Sequence, residues 1–272
     1  MMISKKMMGM LLAVTGLLLV AGCGSEEKVQ EQTIKVGVSA GPFEEVAKKV
    51  KEVAKKEGIK MEIVPFNDFV TPNRALENGD LDVNVFQTKP YLEQYNENHK
   101  ANIATVGKVF TTNMAFYSKK YKTIEEIPEG ATLGIMNDPL NLWRGLLLYE
   151  EAGLIKLKPG LENYATIQDI AENPKKLKFK ELEGGMLAPA MNSLDVAIIP
   201  SNFAIQNGYD PKEDPLYIEQ GDKFPIYLAT AEENKDNEDY KKLTELYSSK
   251  EVKAFIKEKY DGVFKTVNHP FE

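Results

Sequence analysis

Cysteine, tryptophan, histidine and arginine are nearly missing from this chain, and each scarcity removes a class of function. The single cysteine, Cys23, cannot form an internal disulfide. The two histidines, His99 and His269, are far apart and have no acidic cluster near them. Metal centres need several converging N, O or S ligands, so no metal is expected and both imidazoles read as solvated. No stretch resembles a nucleophile elbow, a phosphate loop or a zinc motif. Catalytic residues and cofactors are therefore not expected, and an enzyme such as a surface hydrolase is disfavoured. A basic surplus is also lacking. The net charge is −7, which argues against nucleic acid as a partner. No internal repeat is visible.

The N-terminus carries the first positive signal. Lys5 and Lys6 precede an apolar run from Met7 to Ala21, broken only by Gly9, Thr15 and Gly16. About 15 residues suits a signal-peptide core and falls short of the roughly 20 a spanning helix needs. The run ends in Val20-Ala21-Gly22-Cys23, small residues before a cysteine. This resembles the lipobox of bacterial lipoproteins, which implies a diacylglyceryl thioether on Cys23 and cleavage before it. The alternative is an ordinary secretory signal followed by a chance cysteine. Residues 1–22 are thus expected to be a signal peptide and 23–32 a lipidated, polar tether. Without Lys5 and Lys6, 32 basic residues face 41 acidic ones, a net charge of −9. No later segment is long and apolar enough to span a bilayer.

The body alternates strand and helix signals. "TIKVGVS" (33–39) alternates as a strand, and Gly41-Pro42 opens a helix with Phe43, Val46, Ala47, Val50, Val53 and Ala54 on one face. Gly58 is placed to end it. "IKMEIV" reads as the next strand, and Thr71-Pro72 opens a short helix to Asn78. "GDLDVNVFQ" (79–87) reads as an alternating strand, and Lys89-Pro90 starts a helix. "ATLGIM" (131–136) leads into a helix capped by Asp138-Pro139 and ending before Gly153. "LKFKEL", "DVAII", "LYIE" and "PIYLAT" follow as strands, with helices around 236–247 and 249–259. The pattern predicts an α/β fold with mainly parallel sheets, whose ligand sites lie beyond the carboxyl ends of strands. Three such exits are chemically distinctive: "VFQTKPY", "MNDPLNLWR" and "IIPSNFA".

The second of these exits holds Arg144, one of only two arginines, among Leu140, Leu142, Trp143, Leu146, Leu147 and Leu148. A buried guanidinium needs an anion. Either a ligand supplies it, or the protein does, with Asp138 or Asp169 as the acids considered. Arg74, the other arginine, falls early in a helix and reads as exposed. The lysine runs at 48–51 and 175–176 read as solvated faces or turns.

The lipobox, "VFQTKPYLEQY", "AFYSKKYKTIEEIPEGATL", "NDPLNLWRGLLLYEEAGLIKLK", "DIAENPKKLKFKELE" and "NFAIQNGYDPKEDPLYIE" occur in that order. Together they resemble the methionine-binding lipoproteins of the NlpA/MetQ family, over nearly all of the mature chain. The resemblance implies a two-lobed α/β fold of the periplasmic-binding-protein kind, with a ligand cleft between lobes and crossings near 112–117 and 225–231. One lobe would comprise 33–115 and 228–272, the other 116–227. It implies capture of an amino acid or related small carboxylate for an ABC permease and its ATPase. The protein would be a monomer on the outer face of a bacterial cell membrane, anchored through Cys23. An orphan binding lipoprotein with another ligand, acting in sensing or surface interaction, is the alternative.

Carried onto this sequence, the family site implies Arg144 for the ligand carboxylate. Phe86, Thr88, Tyr91, Thr112, Asn141, Trp143, Asn202 and Ile226 would surround the ligand. Several positions depart from the family pattern. Thr88 replaces a histidine, Thr112 an aromatic, Phe116 and Trp143 glycines, and Pro200 and Ile226 asparagines. The carboxylate anchor is kept, while polar partners for an α-ammonium are removed and Phe116 and Trp143 are expected to add bulk.

Overall fold

The computed structural model describes residues 33–161, 164–260 and 262–271. The expected signal run, Cys23 and the tether lie outside the described residues. The first strand and helix form where the pattern places them, β1 over Thr33–Ser39 and α1 over Pro42–Lys56. All six apolar positions of the α1 stripe are buried, while its lysines lie on the other face. Burying such side chains contributes roughly 1.5–3 kcal/mol for each large one. Gly58 stops the helix at φ 80°, its N–H reaching the Lys55 carbonyl at 3.3 Å.

The chain continues through β2 (Lys60–Phe66), α2 (Thr71–Glu77), β3 (Val83–Thr88), α3 (Lys89–His99) and β4 (Ile103–Thr112). Next come β5 (Met114–Tyr117), β6 (Thr132–Met136), α4 (Pro139–Glu151), β7 (Lys156–Leu157), β8 (Ile170–Glu172) and β9 (Lys178–Leu182). Then follow α5 (Gly184–Leu187), β10 (Val196–Pro200), α6 (Ser201–Gln206), β11 (Tyr217–Ile218) and β12 (Pro225–Ala231). The chain closes with α7 (Glu238–Tyr247), α8 (Lys250–Tyr260) and β13 (Phe264–Thr266).

Two sheets result. One has six strands in the order β13-β4-β12-β3-β1-β2, the other five in the order β11-β5-β10-β6-β9. Each carries its own hydrophobic core, and together they make the expected two-lobed α/β architecture. The sheets are mixed rather than mainly parallel, because the strands at the passages between them, β4, β5 and β12, pair antiparallel with their neighbours. The strand expected at 79–87 differs from its reading. It starts at Val83, and every residue from Val83 to Thr88 is buried rather than alternate ones. The cause is its place: β3 lies between β1 and β12, away from either edge of its sheet.

The chain passes between sheets twice. Asn113 separates β4 of the first sheet from β5 of the second, and residues 219–224 lead from β11 back to β12. Met114 and Ala115 therefore pair in the second sheet, while Pro225, Ile226 and Tyr227 pair in the first. The divisions placed at 115/116 and 227/228 fall inside strands. Asn113 explains the first: its carbonyl accepts from the Ser201 N–H at 3.1 Å, tying it to α6. Among the described residues no helix is long and apolar enough to cross a membrane, and no acid–histidine cluster could hold a metal. His99 is exposed and stacks on Tyr95 at 4.2 Å; Arg74 is exposed on α2.

Candidate functional site

The α4 helix begins with Asp138, whose carboxylate accepts from the Asn141 N–H at 2.9 Å and from its side-chain amide at 3.0 Å. Pro139 follows at the first helical position. Burial pushes the Asp138 carboxyl up, against the hydrogen bonds from Asn141 and the nearby Arg144 charge. Gly145 lets α4 lie close on β6. A Cβ there would meet the Ile135 side chain at 2.9 Å. This seating directs Arg144 inward, where it is 6% exposed.

Arg144 faces a narrow cavity between the sheets. Eight of the nine expected ligand residues line it: Arg144, Phe86, Thr88, Tyr91, Thr112, Asn141, Asn202 and Ile226. They come from β3, α3, β4, α4, α6 and β12, so both lobes contribute. Phe69 and Phe86 form an aromatic wall with centroids 5.8 Å apart, and Phe203 lies 4.9 Å from Phe69. Tyr91 donates its hydroxyl to the Phe69 carbonyl at 2.8 Å, and burial raises its phenol far above the usual range. Thr88 caps α3 by accepting from the Tyr91 N–H at 3.4 Å.

Two polar atoms of the lining are buried with no hydrogen-bond partner among the described residues: Asn202 Nδ2 and Thr112 Oγ1. Such groups cost about 1–3 kcal/mol each when left unpaired, and a polar ligand satisfies them. Gln87 also lines the cavity, but its amide is already engaged. It exchanges hydrogen bonds with Asn73 at 2.7 and 2.8 Å and donates to Asn84 at 3.0 Å. That buried amide network fixes the end of β3 against α2.

Arg144 has a protein counter-ion, and it is neither Asp138 nor Asp169. Its Nε donates to Glu219 at 2.6 Å, and its Nη2 donates to the other Glu219 oxygen and to the Thr112 carbonyl at 3.2 Å. The Phe224 ring lies 4.4 Å from the guanidinium carbon. Asp138 is occupied by its cap, and Asp169 accepts from Thr166 and Lys158. Neither Glu219 nor Phe224 stands out in the sequence: Glu219 closes the strand read at "LYIE", and Phe224 precedes the strand read at "PIYLAT".

Trp143 and Phe116 depart from expectation. Trp143 does not line the cavity: it packs beside Phe224 and Tyr164, with centroids at 6.4 and 6.2 Å. Successive helix residues point about 100° apart, and with Arg144 facing the cavity Trp143 is turned toward Phe224 and Tyr164. Phe116 is buried within the second lobe against Tyr149 and Tyr217, and adds no bulk to the cavity. Pro200 and Ile226 do line it.

A family model described as NlpA lipoprotein matches residues 34–267. The chain belongs to the NlpA lipoprotein family. Its relatives in this family include the D-methionine-binding lipoprotein MetQ of Salmonella typhi. The two are 42% identical over 254 residues, spanning 92% of this chain and 93% of that protein. Outer membrane lipoprotein 1 of Mannheimia haemolytica is 38% identical over 274 residues, spanning 96% and 98%. A solved nutrient binding protein from Burkholderia cenocepacia, bound to methionine, matches this fold with a TM-score of 0.83. That structure is 41% identical and covers 86% of this chain and 99% of its own.

Proposed function

We propose that this NlpA lipoprotein captures a small amino acid, methionine or a close analogue, and delivers it to an ABC permease. It is a binding protein rather than an enzyme. The observation that carries this reading is the cavity between the lobes. It offers a guanidinium, an unpaired Asn202 amide and an unpaired Thr112 hydroxyl at its polar side, and Phe69, Phe86 and Ile226 as apolar wall. Such a division suits a molecule with a carboxylate at one end and an apolar side chain at the other. Arg144 uses Nε and Nη2 on Glu219 and Thr112, which leaves Nη1 to meet the ligand carboxylate. The named relatives that bind methionine support the ligand class.

Closure of the lobes on the ligand would give the permease its signal. Lipid attachment at Cys23, on the outer face of the cell membrane, would hold the protein near it. Pro200 and Ile226 in the lining favour a second reading, in which the ligand is an amino acid other than methionine. Calorimetric titration with L- and D-amino acids, together with mass analysis of any co-purified small molecule, tests both. Binding of methionine or a similar apolar amino acid is expected. A panel in which no amino acid binds would end this assignment.

A further inference from the structure

Arg144 is the only charged side chain among the described residues that line the cavity. Alone, it would make the cavity cationic and suited to any carboxylate, with or without an amine. Glu219 changes that. Its two oxygens take Nε and Nη2 of Arg144, and the pair is nearly dry, with side chains 7% and 14% exposed. Glu219 is itself held in place. One of its oxygens accepts from the Met114 N–H at 3.1 Å, and its own N–H donates to the Met114 carbonyl at 2.9 Å. Met114 follows the first passage between sheets and Glu219 opens the second, so the carboxylate cannot swing away while these passages stay paired. Asp138, also buried near Arg144, adds negative charge whenever it is ionised. The protein charges around the cavity therefore sum to zero or below.

We propose that Glu219 is a specificity-determining positioning residue. By neutralising Arg144 it makes the cavity admit carboxylates that carry their own ammonium group and reject the same carboxylates without one. This inference rests on the proposed amino-acid site. A zwitterion enters as a net-neutral molecule, and its carboxylate still meets Nη1. A des-amino anion brings an uncompensated charge into a space walled by Phe69, Phe86 and Ile226, and Glu219 repels it through Arg144's shared field. Glu219 touches no ligand in this scheme; it fixes the guanidinium plane and sets the charge.

The test compares L-methionine with its des-amino analogue, a methylthio-substituted butanoate, by calorimetry on wild type, Glu219→Gln and Glu219→Asp. In the wild type methionine should bind about 100-fold or more tightly than the analogue, the scale of an uncompensated charge in a dry site. Glu219→Gln should shrink that ratio by about tenfold or more, and Glu219→Asp should keep most of it. A purely structural role would lower stability in both variants and leave the ratio unchanged. If Glu219→Gln is too unstable for calorimetry, thermal shift reads the same ratio. The analogue should then stabilise the variant, relative to methionine, more than it stabilises the wild type. Equal binding of both ligands to the wild type overturns the proposal while leaving the amino-acid site standing. So does an unchanged ratio in Glu219→Gln. Failure of every amino acid to bind the wild type removes both readings.

Discussion

Replacing Arg144 by alanine is expected to weaken the fold as well as the site. The exchange removes two hydrogen bonds to Glu219, one to the Thr112 carbonyl and the stacking on Phe224. It also strands the Glu219 carboxylate, whose side chain is only 14% exposed. Breaking a buried pair by deleting one partner costs about 3–5 kcal/mol. Glu219 keeps its bond from the Met114 N–H and some water access, which places the loss near the lower end, about 3 kcal/mol. For a domain of this size that is a fall in Tm of about 6–12 °C. Replacing both partners with methionine should recover most of the stability, since apolar groups of similar volume often match a buried pair. Neither variant should bind a carboxylate ligand, and Arg144→Lys should rescue binding poorly because an ammonium cannot make the fork contact with Glu219. Urea melts and calorimetry on the three variants decide the matter. An Arg144→Ala protein within about 0.5 kcal/mol of wild type would refute the energetic argument, because that is the scatter of ordinary surface exchanges.

Four further outcomes are expected. Cys23→Ser should move the protein from the membrane fraction to a soluble or unprocessed form, and unchanged membrane association and mass would disprove the lipid anchor. Gly185→Ala should lower ligand affinity, because a Cβ there would sit 2.6 Å from the Asn67 carbonyl of the facing lobe and hold the two apart; unaltered affinity by calorimetry would show that this contact is not needed. Trp143→Phe should leave affinity within about threefold, since the indole lies outside the lining; a larger loss would place Trp143 in the site. Burial pushes the Asp195 carboxyl up, but hydrogen bonds from Lys120 and the Thr132 N–H outweigh it and hold it below its usual range. A depressed folded value means stability that is present above the unfolded value of about 3.9 and lost as pH falls through the folded one. Urea melts from neutral pH down to about pH 3 should therefore show a steeper acid-side loss in wild type than in Asp195→Asn, and parallel curves would contradict this.

The elements of the fold were legible where local pattern and tertiary role agree. The α1 stripe and its Gly58 stop are spelled out by spacing, and each apolar position named in it is buried. Asp138-Pro139 marked the start of α4 for the same reason, because cap and first-turn chemistry act within four residues. β3 was harder. Its residues alternate partly, yet all six are buried, since a strand's exposure depends on which strands flank it. The positions of the sheet crossings depend on long-range ties such as Ser201 to Asn113, which no local window contains.

The site shows the same division at the level of single residues. Arg144 was conspicuous because a guanidinium among leucines demands an anion, and that demand is local physics. Which acid answers it is a matter of topology. Glu219 stands 75 residues away, at the end of the strand read at "LYIE", while Asp138 and Asp169 are acids nearer to Arg144 in the sequence. Trp143 teaches the reverse. It adjoins Arg144 in sequence, yet helical phase sets it about 100° away and its ring packs outside the lining. With Arg144 facing inward, Trp143 lies to the side, and its ring buttresses Phe224, which in turn covers the guanidinium. The bulk at this position therefore bears on how rigidly Arg144 is held, and leaves the room available to the ligand unchanged.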